Sequence, residues 1–102
     1  MKIHSFRDLR VWQLAMEVVE LVYRLSRSFP RSEVYGLSSQ IQRAAVSVPS
    51  NIAEGHTREH TKEYLQHLSI AQASLAELET QLEIAIRLKY ALRNALLKAS
   101  RA

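Results

Sequence analysis

The sequence contains no cysteine, and its 102 residues include only two glycines and two prolines. Without cysteine the chain has no disulfide, no thiol nucleophile and no thiolate metal ligand. Gly36 and Gly55 lie too far apart for the dinucleotide-binding fingerprint or a phosphate-binding loop, which excludes the enzymes that use those motifs. Hairpin dipeptides such as Asn-Gly are absent, and no segment sustains the alternation of a β-strand. The sequence therefore predicts an all-α protein.

Long apolar runs are also missing, since none approaches the roughly 18 residues of a membrane-spanning helix. Residues 1–6 lack the apolar stretch of a secretory signal, which predicts a cytoplasmic protein without membrane association. A chain of 102 residues can bury one modest hydrophobic core. We therefore predict a single domain over residues 1–102.

The first of three predicted helices carries an unusually wide apolar surface. Ser5 and Asp8 resemble a capping box that opens this helix, and Pro30 closes it near Ser28. Two adjacent apolar stripes run along it, more than one flank of a small monomeric bundle needs. We expect the second stripe to lie in an interface between subunits. This second stripe consists of Val11, Ala15, Val18, Val22 and Leu25.

The second predicted helix covers about residues 37–54 and contains a proline. Pro49 falls inside the helical pattern, where it removes a backbone hydrogen bond and crowds the preceding turn. We expect a bend at this position and no end. Gly55 is expected to end the helix in a left-handed conformation.

The third predicted helix has the strongest periodicity in the chain. Thr57 or Thr61 can cap its start, and apolar residues recur at spacings of four and three over residues 64–85. Because neither glycine nor proline follows, local rules extend this helix to about 40 residues. Lys89 and Tyr90 are weak breaks in the pattern.

Charge is distributed unevenly along the chain. Residues 63–86 carry four anionic side chains and no cationic one, whereas residues 87–102 carry five cationic ones and no anionic one. If consecutive helices are antiparallel, the ends of the first and third helices meet at one basic pole. Those cations can complement the helix dipoles and keep the protein soluble, or they can bind nucleic-acid phosphates or an acidic protein. No aromatic residue interleaves with them as a stacking platform. The basic pole consists of Arg24, Arg27, Arg31, Arg87, Lys89 and Arg93, which are the predicted nucleic-acid-binding residues.

Residues 56–60 read His-Thr-Arg-Glu-His, the H-x-x-E-H pattern of inverse zinc peptidases. The pattern spans a glycine turn and a helix start, which is a poor context for two ligands on one helix. Exposed histidines at a helix cap explain it more simply. A single aspartate in the whole chain also disfavours a Ser-His-Asp triad. We therefore predict no enzyme, no metal and no cofactor. The unassigned third zinc ligand would come from Glu77, Glu79 or Glu83.

A polar line on the second helix is open to three interpretations: a solvated face, a buried hydrogen-bond network or a subunit contact. We favour the network or the contact, because this helix has few bulky groups with which to specify a register. Glu77 and Glu79 are possible partners of Arg43. The predicted structural polar network consists of Gln40, Arg43, Ser47, Asn51, Glu54 and Glu77.

Four segments carry a resemblance to a known family. The most specific runs are Ser-Val-Pro-Ser-Asn-Ile-Ala-Glu-Gly, which ends at Gly55, and Glu-Leu-Glu-Thr-Gln-Leu, which ends at Leu82. Together the segments resemble the four-helix-bundle proteins encoded within 23S rRNA intervening sequences. The segments are residues 6–15, 35–41, 43–55 and 74–82.

The resemblance implies an up-down-up-down four-helix bundle that assembles as a ring-like homopentamer. It also implies kinship with the accessory variability protein of diversity-generating retroelements, whose basic pentamer binds nucleic acid and a reverse transcriptase. The chain departs from the family pattern after Tyr90, where few residues are left for a fourth helix. We expect a short or absent fourth helix, a longer third helix completed by a neighbouring subunit, or a truncated and less stable bundle. We expect a non-enzymatic oligomer that binds RNA at the basic pole, the alternative being a structural or protein-binding scaffold.

Overall fold

The computed structural model describes residues 5–92, and within that range the protein is helical with no strand. This confirms the prediction of an all-α protein. No helix in the described range is both long and apolar enough to cross a bilayer. The three α-helices are α1 (Arg10–Ser26), α2 (Leu37–His56) and α3 (Thr61–Arg87), and two short 3-10 helices cover Phe6–Asp8 and Arg31–Glu33.

The start of α1 differs from its prediction. The Ser5 hydroxyl accepts a hydrogen bond from the Arg7 N–H at 3.2 Å, but it caps the first 3-10 helix and not α1. Leu9 is extended, with φ −74° and ψ 124°, and α1 begins after it. The separate turn lets the Phe6 ring pack edge-on against Trp12, with the ring centroids 5.4 Å apart. The predicted capping box is therefore wrong for α1, which has no side-chain cap, while the Phe6–Trp12 contact joins the preceding turn to the helix.

Within α2, the prediction that the helix does not end at Pro49 is confirmed, and the prediction for Gly55 is wrong. The helix continues through Pro49, which is buried. Gly55 lies inside the helix and has no positive φ, so it does not end α2 as predicted. A Cβ at this position would lie 2.7 Å from His67 Cβ and 3.0 Å from the Tyr64 ring. Glycine is needed here because α2 and α3 approach closely.

The prediction of a 40-residue third helix is also wrong, since α3 ends at Arg87. Lys89 adopts the left-handed conformation with φ 63°. The Tyr90 N–H donates to Ala85 O at 2.8 Å and the Lys89 N–H donates to Ile86 O at 2.9 Å. This pair of bonds is the Schellman motif, which usually employs glycine. A non-glycine residue pays about 1 kcal/mol for this conformation, so contacts elsewhere must favour the stop.

The core forms along α2, which packs extensively against both α1 and α3. Ile41 is fully buried and belongs to the larger apolar cluster, together with Val22 of α1 and Leu78 of α3. Ala15, Val48, Ile52 and Ala71 form a second, smaller cluster toward the other end. Because α2 supplies the shared surface, a groove remains between α1 and α3.

Candidate nucleic-acid interface

The loop after α1 and the turn after α3 meet at one end of the protein. Phe29 and Tyr90 bring their rings to 5.6 Å between centroids, and Phe29 is buried. The Tyr90 hydroxyl donates a hydrogen bond of 2.8 Å to Glu33 Oε2. We call these three side chains the Tyr90 clasp. Its contacts explain why α3 stops where sequence rules extend it.

Glu33 also fastens the clasp to α2. Its second oxygen, Oε1, accepts the Leu37 N–H at 3.1 Å and satisfies a free donor at the start of that helix. The hydrogen bond from Leu37, reinforced by the one from Tyr90, lowers the pKa of Glu33 from its ordinary 4.5. The same bond to Glu33, together with desolvation and the carboxylate charge, raises the pKa of Tyr90 from 10.0. The clasp therefore holds an ionised Glu33 and a protonated Tyr90.

The clasp brings together the chain segments that carry the basic pole. Five of its six predicted members are exposed, and Arg93 lies outside the described residues. Two of the five form an ion pair with a glutamate one helical turn earlier. Arg24 lies 3.8 Å from Glu20, and Arg87 lies 3.7 Å from Glu83. The members placed in the described range are Arg24, Arg27, Arg31, Arg87 and Lys89.

The other three cations have no carboxylate partner in residues 5–92. Arg27 follows α1, Arg31 begins the second 3-10 helix, and Lys89 is the left-handed residue of the turn after α3. Glu33, the acidic side chain in the same loop, is already bonded to Leu37 and Tyr90. Positive charge in this part of the pole is therefore available to an external anion.

Tyr35 is a residue that the sequence analysis missed at this pole. It is 97 % exposed, in the turn that leads from the second 3-10 helix into α2. The Gly36 N–H donates to Glu33 O at 2.9 Å and closes that turn. Tyr35 lies four residues after Arg31, in the same loop, and its exposure was not anticipated from the sequence. A Tyr-Gly pair at a loop tip was the signal available in the sequence.

Part of the predicted polar network lies between α2 and α3. Ser47 and Ser74 share a hydrogen bond of 2.8 Å, and Asn51 Nδ2 donates to Ser47 O and Oγ at 2.9 and 3.1 Å. Asn51 Oδ1 hydrogen-bonds with His67 Nδ1 at 3.1 Å, and Glu54 lies 3.7 Å from the same nitrogen. Because Ser47 faces Ser74 while Asn51 faces His67, the two helices run antiparallel. Ser74 and His67 were not identified from the sequence.

Other members of the predicted network lie elsewhere. Gln40 and Arg43 are exposed, and their side chains make no hydrogen bond or ion pair within the described range. Arg43 lines a shallow groove with Tyr23 of α1, away from the glutamates proposed as its partners. Glu77 accepts a 3.1 Å bond from Gln81 on its own helix. The contacts between α2 and α3 therefore involve the second half of the polar line.

The H-x-x-E-H pattern does not lie on one helix. His56 is the last residue of α2, and His60 immediately precedes α3. Thr57 turns its hydroxyl back to Glu54 O at 2.8 Å, and the His56 ring packs edge-on against Tyr64. No cluster of three potential metal ligands occurs in the part of the chain that the structure describes. The helical spacing that the zinc motif requires is absent here.

The groove between α1 and α3 has a volume of about 320 Å³ and is almost entirely apolar. Val11 at its rim is 53 % exposed, and Leu75 on the opposite wall is 39 % exposed. The second apolar stripe of α1 divides here. Val11 and Ala15 line the groove, Val22 and Leu25 join the main core, and Val18 contributes to both. We call this surface the apolar groove. Its lining consists of Val11, Leu14, Ala15, Val18, Val48, Ile52, Leu68, Ala71, Gln72 and Leu75.

Comparison with known families agrees with the resemblance drawn from the four segments. A model of the 23S rRNA-intervening sequence protein family matches residues 7–100. Because the match covers most of the chain, the protein belongs to this family. Among curated proteins, none matches the chain.

Proposed function

We propose that this member of the 23S rRNA-intervening sequence protein family is a non-enzymatic, cytoplasmic RNA-binding protein that self-associates. The observation that carries the proposal is the Tyr90 clasp, which joins the loop of Arg27 and Arg31 to the turn of Lys89. Two segments that carry cations, about 60 residues apart in sequence, are thereby held at the same end of the protein. We name RNA as the ligand class because the chain belongs to the 23S rRNA-intervening sequence protein family and because RNA phosphates provide regularly spaced anions.

Electrostatics support phosphate binding at this pole. No carboxylate among residues 5–92 is paired with Arg27, Arg31 or Lys89. An external phosphate can therefore bind these cations without displacing a carboxylate of the protein. The whole chain carries a formal charge of +4, which favours encounter with a polyanion. Each phosphate contact releases condensed counterions, which makes affinity fall steeply with salt. We include Arg93 in the proposed site because it continues this basic segment.

Self-association is the second part of the proposal. The apolar groove exposes side chains from two helices, and covering it removes that surface from water. We propose that a fourth helix or a second copy of the chain covers it, within an up-down-up-down bundle assembled as a homopentamer. A ring of subunits would present several basic poles to one RNA and raise its affinity through multivalency.

A protein-binding scaffold without RNA binding is the competing function. The apolar groove favours it, because grooves of this kind accept an amphipathic helix of a partner. An acidic partner would use the basic pole instead. Neither kind of scaffold is expected to bind free RNA, so a direct measurement of RNA binding distinguishes a scaffold from an RNA-binding protein.

Binding of labelled 23S rRNA fragments over a salt series tests the RNA proposal. A triple variant with Arg27, Arg31 and Lys89 changed to Gln should lose at least about tenfold in affinity and lower the slope of log affinity against log salt by about two to three. The matched control changes the same number of exposed cations, at the starts of α1 and α3 and in the turn before α1, to Gln: Arg7, Arg10 and Lys62. Equal losses in the two variants, or no binding by the wild type at low salt, would contradict the proposal.

Native mass measurement tests self-association. Leu75→Glu places a charge in the apolar groove, whereas Ile84→Glu places one on α3 outside the groove at a similar exposure of 41 %. We expect an oligomeric wild type, an oligomeric Ile84 variant and a smaller Leu75 variant. A folded, monomeric wild type at micromolar concentration would refute the assembly.

A further inference from the structure

The exposure of Tyr35 is unusual for a large aromatic side chain in a small protein. At 97 % exposure it contributes almost nothing to the core, whereas the next most exposed tyrosine in the described range, Tyr23, is 40 % exposed on α1. Aromatic rings generally gain by burial. A ring left in water at a loop tip is free to bind an external planar group.

The backbone below Tyr35 is anchored. Glu33, two residues earlier, is tied to Leu37 and to Tyr90 through its two carboxylate oxygens, and its carbonyl oxygen accepts the Gly36 N–H. These bonds hold the turn on both sides of the tyrosine. Since little further ordering of the loop is needed on binding, a contact by the ring loses less conformational entropy.

Two cations lie in the segments next to this turn, one along the chain and one across the clasp. Arg31 begins the 3-10 helix that precedes Tyr35, and Lys89 adjoins the tyrosine that bonds to Glu33. Neither cation is paired with a carboxylate in the described residues. An exposed aromatic ring among phosphate-binding cations is the arrangement with which proteins hold single-stranded nucleic acid, because bases stack on the ring while cations follow the backbone.

We propose that Tyr35 stacks on an unpaired base, so that the ligand of the basic pole is single-stranded RNA and not duplex RNA. The inference rests on the proposed RNA-binding function and narrows its substrate class. In a duplex both faces of each base are already stacked and the ring has no access to them. The basic side chains bind the flanking phosphates, and the ring adds affinity that depends on unpaired bases.

Fluorescence anisotropy with two labelled RNAs of equal length, an unstructured single strand and a blunt-ended duplex, tests this inference. Tyr35→Ala should weaken single-strand binding about tenfold, change duplex binding less than about twofold and leave the salt slope unchanged. Tyr35→Phe, which keeps the ring, should bind like the wild type. Tyr23→Ala is the matched control for loss of an exposed tyrosine and should also bind like the wild type.

A single strand that contains 2-aminopurine gives a second readout. Its fluorescence should be quenched on binding to the wild type and to Tyr35→Phe, and less so on binding to Tyr35→Ala. Unchanged single-strand affinity in Tyr35→Ala, an equal loss on both RNAs, or an altered native mass would overturn the inference. In the last case Tyr35 is a subunit contact. If the wild type binds neither RNA, the proposed function fails as well, whereas RNA binding that is insensitive to Tyr35 refutes this inference alone.

Discussion

Where α2 turns into α3, Gly55 lies close to Tyr64 and His67, and Asn51 joins the two helices through hydrogen bonds. At the opposite end, the loop after α1 meets the turn after α3 through the Tyr90 clasp. The first end directs its polar groups inward, toward partners on the neighbouring helix. The second end uses few side chains to hold its segments together and leaves its cations outside.

The two ends differ in whether their polar side chains have partners inside the protein or are available to bind a ligand. Asn51 and Ser47 have internal partners, so their polarity serves the contact between α2 and α3. Arg27, Arg31 and Lys89 have no such partners within the described residues, so their charge is available to a ligand. Residue type alone does not distinguish the two groups. The distinction comes from what the folded chain places within hydrogen-bonding distance.

The largest expected effect is at the end where α2 turns into α3. Gly55→Ala should lower the free energy of unfolding by about 2 kcal/mol, because the new Cβ would meet His67 Cβ at 2.7 Å. The better helix propensity of alanine offsets part of the loss. Denaturant unfolding measures the change, and Ser50→Ala at an exposed position of α2 is the control. A Gly55 variant as stable as the wild type would mean that the two helices are not in close contact.

A smaller effect is expected from the polar contacts at the same end. Asn51→Ala removes bonds to Ser47 and His67 and leaves their polar groups without these partners, which should cost about 1 kcal/mol of unfolding free energy. Gln40→Ala, on the same polar line but exposed, should change it by less than about 0.5 kcal/mol. If the two variants are equally stable in chemical denaturation, the inward-facing contacts are not stabilising.

The smallest effect is expected at the Tyr90 clasp and depends on pH. Tyr90→Phe keeps the ring contact with Phe29 but loses the bond to Glu33, so its melting temperature should fall slightly at neutral pH. Because the folded pKa of Glu33 is lowered from 4.5, its contribution is present above that pH and is lost as pH falls through the folded value. Because the folded pKa of Tyr90 is raised from 10.0, its contribution is present below that pH and is lost as pH rises through the folded value.

Thermal melts of the wild type and the Tyr90 variant across pH measure this dependence. The gap between their melting temperatures should be widest between about pH 4.5 and 10 and should narrow outside that interval. Tyr23→Phe, on the exposed side of α1, should show no such gap. A gap that stays constant from acid to alkaline pH would show that the hydroxyl of Tyr90 does not stabilise the loop.

Periodicity in the sequence was sufficient for much of the fold. Apolar spacing predicts α2 and the body of α3, and a model of the family matches residues 7–100, in agreement with the four recognised segments. The boundaries were predicted less well. Gly55 serves close packing and not a left-handed cap, and Lys89 takes the left-handed conformation without being glycine. Local propensities depend on neighbours in sequence, whereas the structure at these two positions depends on contacts with other elements of the fold.

The candidate site shows the same division. Counting charges along the chain was enough to select the basic segments, because clusters of like charge are visible in sequence. The helical spacing of Glu20 and Arg24 also predicts their ion pair, which the structure has at 3.8 Å. The sequence did not show that Tyr35 is almost fully exposed. Exposure depends on everything that packs near a side chain, which local spacing does not specify.

The order of residues by itself determined that the chain is helical, which family it belongs to and where positive charge accumulates, since these follow from spacing and composition. The tertiary structure decided where α3 stops, which polar residues of α2 find partners and which cations remain open to an anion. Each of these depends on contacts between groups distant in sequence. The Tyr90 clasp is the clearest case, because Glu33 and Tyr90 lie in separate segments and meet only when the helices pack.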